Sequence, residues 1–127
     1  GGNWKAWISD NQNQAKDRLH HSAIPYKKLA GPVLTIANNW DDLTDGTLVS
    51  PINFNEFGAY QSSEQYAWTG TNTDGTAYLD KNCNLWTSGS SGFSGRGGYK
   101  ISTNYKWTSI SSTACNTDRR LYCIEQP

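Results

Sequence analysis

The chain has 127 residues, a length that suits one domain with a substantial hydrophobic core. Lys and Arg total 11 and Asp and Glu total 11, so no net field draws the chain to nucleic acid or to an anionic membrane. Only 17% of the residues are charged while 13% are aromatic, a balance typical of secreted binding proteins.

The N-terminal part of the sequence predicts short strands and turns with little helix. Residues 4–8 alternate large apolar with small or polar side chains, which is the pattern of a strand. A polar turn is expected over 10–14, and 15–21 is the only stretch before residue 38 that suits a short helix. Gly31-Pro32 predicts a turn. The asparagines at 38–39 are placed to cap a further helical turn.

The C-terminal part predicts more strands, separated by turns and one flexible loop. Residues 66–70 are typical of a central strand that enters a turn over 73–76. Residues 88–98 contain five Gly and four Ser, so we predict a flexible loop there. Two final strands are expected over 105–109 and 120–125. Short strands with few helices indicate an α+β domain dominated by antiparallel sheet.

The cysteines indicate an oxidising compartment. There are three, Cys83, Cys115 and Cys123, and their spacing matches no zinc motif. An odd number in a secreted chain indicates either a missing partner or an intermolecular bond.

No apolar run approaches the roughly 20 residues that span a bilayer. Because the chain contains no Met, we also expect a processed or trimmed product.

Several motifs in a fixed order carry a family resemblance. They are GNWKAWISD at 2–10, ANNWDDLTDG at 37–46, WTGTNTDGT at 68–76, CNLW at 83–86 and the ending over 115–126. Together they resemble the endostatin-like branch of the C-type-lectin-like fold. The resemblance is closer still to a bacterial family of secreted and surface proteins that includes the leptospiral endostatin-like proteins. It implies a single domain over 1–127, with mostly short antiparallel strands, long loops and one or two short helices.

The resemblance also implies how the cysteines pair. The family fold has two nested bridges, first cysteine to fourth and second to third. Carried over, Cys83 pairs with Cys115, and Cys123 is the fourth cysteine. Its partner is expected in a strand and helix that, in the family, precede the 2–10 motif. Relative to the family the domain is therefore N-terminally incomplete. We expect Cys123 to be unpaired or bridged to that segment, which a separate polypeptide would supply.

Acidic residues raise the question of calcium, which many C-type lectins use to bind sugars. Asp41, Asp42 and Asp45 are the weak candidates for a calcium site, which needs roughly six to eight oxygen ligands. The Glu-Pro-Asn and Trp-Asn-Asp signatures of the sugar-binding members are absent, and Thr108-Ser109 stand where Asn and Asp would follow the tryptophan. We favour turn and cap roles for these acids. No cofactor or other metal is expected.

Catalysis and a basic binding face are both disfavoured. No Ser-His-Asp or Cys-His set can be assembled, since His20 and His21 lie together in one polar stretch, and we predict that the chain is not an enzyme. An excess of basic residues in the C-terminal third suggests a weakly basic face for sulfated glycans, although scattered solvated charges are the favoured interpretation. These residues are Arg96, Lys100, Lys106, Arg119 and Arg120.

We therefore expect a secreted or surface-displayed bacterial module for adhesion. It would bind a carbohydrate or an extracellular protein through loops that a disulfide-bonded domain holds in place. The alternative is a structural subunit of an extracellular fibre or surface layer that a neighbouring chain completes. The recognition surface is predicted over 89–105 with the 72–74 turn beside it. The candidate ligand-binding residues are Asn72, Asp74, Arg96, Tyr99, Lys100, Asn104 and Tyr105.

Overall fold

The computed structural model of the chain describes residues 2–29 and 34–127, so the predicted turn at Gly31-Pro32 lies outside the described residues. The described part is an α+β structure of short elements. In chain order these are β1 Asn3–Ala6, α1 Ala15–Arg18, β2 Tyr26–Lys27, β3 Thr35–Ala37, α2 Trp40–Leu43, β4 Tyr66–Trp68, α3 Cys83–Trp86, β5 Ser94–Tyr99, a 3-10 turn at Tyr105–Trp107, β6 Ser111–Ala114 and β7 Cys123–Gln126. None of the helices in this part of the chain is long and apolar enough to cross a membrane.

The strands form small antiparallel sheets. β1 pairs with β7, which brings the two ends of the chain together with Ala6 opposite Cys123. β2 pairs with β3, and β4, β5 and β6 form a three-stranded sheet in that order. In the larger sheet Tyr66 lies opposite Tyr99, and Trp68 lies opposite Gly97. Tyr66, Trp68 and Tyr99 therefore share one face, because side chains alternate along a strand.

A cluster of aromatic rings fills the core. The ring of Trp7 lies 5.0 Å from that of Trp107 and 5.9 Å from that of Trp40, and Trp107 contacts Tyr122 at 5.7 Å. Two polar atoms of the cluster are paired: Trp7 Nε1 donates to Thr108 Oγ1 at 2.7 Å, and the Tyr122 hydroxyl donates to the Trp107 carbonyl. The indole nitrogen of Trp107 is buried without an acceptor among the described residues. Burial raises the pKa of Tyr122, which stays neutral. This cluster joins the first strand to the C-terminal third.

The observed elements correct some predictions and confirm others. Asn39 caps α2 as expected, since its side chain accepts from the Asp42 amide. The predicted helix over 15–21 ends early, because Leu19 is extended. The strand predicted over 105–109 is wrong: Asn104 accepts from the Lys106 amide and starts a 3-10 turn instead.

The loop predicted over 88–98 is wrong in its second half, which is the central strand β5. The glycines of this strand are needed because neighbouring groups occupy the space of a side chain. A Cβ on Gly95 would lie 2.8 Å from the Trp68 ring, and one on Gly98 would lie 2.6 Å from the carbonyl carbon of Trp107. A glycine-rich composition here indicates close packing, not flexibility.

The disulfide implied by the family resemblance is present between Cys83 and Cys115. It anchors α3, a single turn in which Cys83, Asn84, Leu85 and Trp86 all have left-handed φ values between 51° and 60°. Such a conformation costs roughly 1–2 kcal/mol per residue and needs support from outside the turn. The bridge supplies part of that support, and the Trp86 indole supplies more by donating to the Ser9 carbonyl at 2.8 Å.

Candidate functional site

The predicted ligand residues of the 72–74 turn are engaged in local hydrogen bonds. Asn72 Nδ2 donates to Thr76 Oγ1 and to the Ala77 carbonyl, both at 3.1 Å. Asp74 Oδ1 accepts from the Thr76 hydroxyl at 2.6 Å and from the Thr76 amide at 3.0 Å. The hydroxyl hydrogen bond is the main reason that the pKa of Asp74 lies below its ordinary value. These side chains hold the turn in shape.

The sheet divides two other candidates between its faces. Arg96 stacks on the Tyr78 ring at 4.3 Å and donates from Nε to Ser109 Oγ at 3.0 Å. Tyr99 stacks instead on Tyr66, with ring centroids 5.2 Å apart. Positions 96 and 99 are an odd number of residues apart in β5, so their side chains leave opposite faces of the sheet. A single flat ligand therefore does not contact both there.

The last three candidates differ in exposure. Lys100 is buried, and its amine donates to the backbone carbonyls of Gln61 and Ser63. Desolvation lowers the pKa of this amine. Asn104 caps the 3-10 turn, while Tyr105 is exposed at its start. Lys100 thus fixes the 61–65 segment to the end of β5, and of the three only Tyr105 presents a large ring to solvent.

The weak calcium candidates are arranged as turn residues. Asp42 Oδ2 accepts from the amide and the side-chain nitrogen of Asn38, at 2.7 and 2.9 Å. Asp45 Oδ1 accepts from the amide and hydroxyl of Thr47, and Asp41 is exposed in the first turn of α2. Within residues 2–29 and 34–127 no group of three or more His, Cys, Asp or Glu side chains is placed to hold a metal ion.

Instead, a continuous stack of side chains runs across one face of the three-stranded sheet. We call it the ladder, and its members in order are Tyr99, Tyr66, Arg119, Trp68 and Trp86. The guanidinium of Arg119 lies 4.8 Å from the Tyr66 ring and 4.9 Å from the Trp68 ring. Trp68 in turn contacts Trp86 at 5.7 Å. Tyr66, the second member of the ladder, is 38% exposed, so the stack reaches solvent there.

The side chains of the ladder pack against the glycine-rich strand β5. Trp68 lies over Gly95, and Arg119 lies over Gly97, where a Cβ would meet the guanidinium itself. Arg119 Nη1 is buried there without an acceptor, and Arg119 donates no hydrogen bond to any residue in the described ranges. Desolvation lowers the pKa of the guanidinium, although an arginine side chain stays charged in proteins. Arg119 is therefore held by rings rather than by a carboxylate.

A cleft of about 530 Å³ lies beside the ladder. We call it the Arg119 cleft. Both Arg119 and its neighbour Arg120 contribute to its wall, and two acidic residues, Glu64 and Asp118, lie in the same wall. The remaining lining comes from Trp68, Cys115 and Thr117. The cleft thus combines an aromatic ring, a hydroxyl and charges of both signs, a mixture suited to a polar ligand of small charge.

A second concavity, of about 1050 Å³, has Tyr66 in its wall and shares Arg120 with the Arg119 cleft. We call it the groove. Its wall includes large apolar side chains that are exposed to solvent, namely Trp4, Leu29, Phe57, Tyr66 and Leu121. Its basic side chains are Lys27, Lys28, Lys100 and Arg120, and its acidic ones are Glu56 and Glu125. Exposed apolar surface of this kind, rimmed by charge, is characteristic of interaction sites.

The free cysteine lies in this groove. Cys123 is exposed and bonded to neither of the other cysteines. Partial burial, and then the negative charge of Glu56, raise the pKa of its thiol. A thiol with a raised pKa is a weak nucleophile at neutral pH, which disfavours a catalytic role for Cys123.

Sequence reasoning named most members of the ladder without grouping them. Sequence analysis places Arg119 in a scattered basic set and Trp68 in a predicted strand, and it does not bring the two together. Trp68 and Trp86 are half-buried. Two segments of the sequence contain the pattern that predicts the ladder. Large rings alternate with a small residue in Tyr66-Ala67-Trp68, and glycines alternate with a large residue in Gly95-Arg96-Gly97. If the two strands pair, the rings lie over the glycines on one face of the sheet. Comparison of the chain with known protein families and with characterised proteins gives no match.

Proposed function

We propose that the chain is a non-catalytic, extracellular binding module of the endostatin-like C-type-lectin fold, and that it recognises a glycan at the ladder. The observation that carries the proposal is the stack of aromatic rings and one guanidinium that reaches solvent at Tyr66. A flat ring offers large contact area at small entropic cost, and neighbouring polar groups then orient the ligand. The bacterial family resemblance supports an adhesive role at a cell surface.

The scaffold beneath the ladder supports this proposal. A disulfide joins Cys83 to Cys115, and such bonds persist in oxidising, extracellular compartments. The bridge and the close packing over Gly95 hold Trp68 and Trp86 in fixed positions. A binding surface that is rigid before the ligand arrives loses less conformational entropy on binding.

The test is glycan binding with a matched pair of tyrosine variants. Tyr66→Ala removes the exposed ring of the ladder, whereas Tyr60→Ala removes a ring that is 56% exposed and contacts only Phe54 among the aromatic rings of the described ranges. Glycan-array screening identifies a ligand, and calorimetry then measures its Kd for each variant. We expect Tyr66→Ala to weaken binding about tenfold, because one stacked ring contributes on the order of 1–2 kcal/mol. Equal affinities of the two variants would contradict a role for the ladder.

A second function is favoured by the groove. In this alternative the chain is a structural subunit of a fibre or surface layer, and a segment of a neighbouring chain fills the groove and bridges to Cys123. The exposed apolar wall supports it, as does the excess of basic over acidic side chains there. The free thiol at the same place supports a covalent link. The incoming segment would be apolar with acidic residues and would carry one cysteine.

Disulfide mapping of protein from its native source, under non-reducing conditions, separates the two functions. A Cys123 bridge to a second peptide, together with assemblies that grow with concentration, would support the subunit alternative. Monomers in which Cys123 reacts fully with a thiol reagent would overturn it. Cys123→Ser provides the control, since it removes the bridge and leaves the ladder unchanged.

A further inference from the structure

We infer that the Arg119 cleft binds the carboxylate of an acidic sugar residue, so that the ligand of the module is a glycan containing uronic or similar acids. This inference rests on the proposed glycan-binding function and names the ligand class. Its basis is a guanidinium that is positioned by two rings and has no hydrogen-bond acceptor within the described part of the chain.

The geometry of Arg119 restricts where an acceptor can bind. Tyr66 covers one face of the guanidinium and Trp68 contacts it as well, while Nη1 is buried against Gly97. Donors on a guanidinium point only in its plane, so the edge that remains is the one in the cleft wall. A carboxylate matches two parallel N–H donors of such an edge.

Arg119 is also prepared for binding in advance. A free arginine loses considerable side-chain entropy when a ligand fixes it, but stacking has already fixed this one. Its missing hydrogen bonds are not replaced by Glu64 or Asp118, although both carboxylates lie in the same wall. A ligand carboxylate would therefore bind guanidinium donors in the cleft wall that no carboxylate of the protein occupies.

The charges of the cleft favour a ligand of low charge density. Arg119 and Arg120 are balanced by Glu64 and Asp118, so the cleft as a whole is neutral. A heavily sulfated chain would bring several negative charges close to both acids and be repelled. A single carboxylate on an otherwise neutral sugar meets a much smaller repulsion as it approaches the guanidinium. The Tyr66 ring beside it is placed to contact the next sugar residue.

The experiment compares one oligosaccharide in two chemical forms. The probe is a tetrasaccharide that contains glucuronic acid, and its control is the same tetrasaccharide with the carboxyl groups reduced to alcohols. Calorimetry at constant ionic strength measures both. We expect the acidic form to bind at least about tenfold more tightly, as a charge-assisted bidentate pair requires.

Three variants assign the effect to the cleft. Arg119→Lys keeps the positive charge but loses the two parallel N–H donors of the guanidinium. We expect it to remove most of the preference for the acidic form. Lys106→Gln removes a charge from the exposed surface and should leave the preference intact. Asp118→Asn removes an acid from the cleft wall and should strengthen binding of the acidic form. The Asp118 variant changes an exposed side chain, so the test does not depend on the folding of the Arg119 variant.

The outcomes separate the inference from the proposed function. Equal binding of the acidic and reduced forms, unaffected by Arg119→Lys and Asp118→Asn, would overturn the inference and leave a glycan-binding module. Binding of neither form, with an array that also gives no ligand, would overturn the proposed function. If an acidic peptide bound with the same dependence on Arg119 while the tetrasaccharide did not, the assignment to a glycan would be wrong.

Discussion

The two sides of Tyr122 differ in how completely their aromatic residues are covered. On one side Trp7, 0% exposed, packs against Trp40 and Trp107, and its indole nitrogen is hydrogen-bonded. On the other side, in the groove, Phe57 is 85% exposed. Aromatic residues thus stabilise the fold around Trp7, whereas in the groove they are exposed to solvent. The difference indicates that the stabilising aromatic contacts are concentrated around Trp7, whereas the groove leaves apolar surface exposed to solvent.

The strongest test of this contrast makes the same substitution on each side. Trp7→Ala empties a buried site and leaves Thr108 without its indole donor, so we expect a loss of about 3–5 kcal/mol in the free energy of unfolding. Trp4→Ala changes a ring that is 40% exposed in the groove wall, and we expect a much smaller loss. Urea unfolding followed by circular dichroism measures both. Comparable losses for the two variants would mean that the groove belongs to the stabilising core.

A smaller effect is expected from a single methyl group in the central strand. Gly98→Ala places a Cβ 2.6 Å from the carbonyl carbon of Trp107 and 2.8 Å from the Cα of Thr108, so backbone has to move. Such overpacking costs roughly 1–3 kcal/mol. Gly89→Ala is the control, because the nearest atom to its Cβ would be the Cys115 carbonyl at 4.0 Å. Thermal melts of both variants are compared with the parent. A Gly98 variant as stable as the Gly89 variant would show that β5 is the loop its composition suggests.

The fold could be predicted from sequence wherever one residue determines the local structure. Asn39 caps α2 because its side chain reaches the Asp42 amide, and that needs no information from elsewhere in the chain. The Cys83–Cys115 bridge follows from the family resemblance. Strand β5 could not be predicted in this way, since its glycines are explained by packing against Trp68 and Trp107, which lie outside the segment itself. Composition gives the conformational freedom of a segment but not what packs against it.

The candidate site was predictable only in its components, for a related reason. Tyr66 and Trp68 are two residues apart, and their common face follows from strand alternation. Arg119 lies after β6, about fifty residues further along the chain. Its place between the rings depends on the space above Gly97. By contrast, Asn72 and Asp74 have polar side chains typical of ligand contacts, yet their hydrogen bonds are local. Residue type alone does not distinguish side chains of the candidate site from side chains that stabilise a local turn.

The smallest effect concerns the pH dependence of that local turn. The hydrogen bond from the Thr76 hydroxyl lowers the pKa of Asp74 in the folded protein, so the ionised carboxylate stabilises the fold above the ordinary carboxyl range. This contribution is lost as the pH falls through the lowered folded pKa. Asp74→Asn, whose side chain has no charge, should therefore be slightly less stable than the parent at pH 7, and the difference should shrink towards pH 2.

An NMR titration of the Asp74 carboxyl carbon checks the cause directly. Thr76→Val removes the donating hydroxyl but keeps the size of the side chain, and we expect the pKa of Asp74 to rise towards its ordinary value. An unchanged pKa in that variant would mean that other groups, among them Lys16, hold it down. Glycan affinity should be the same in the parent and in Thr76→Val, because the turn is held by its own hydrogen bonds and the ladder lies over β5. A marked loss of affinity would return the 72–74 turn to the binding surface.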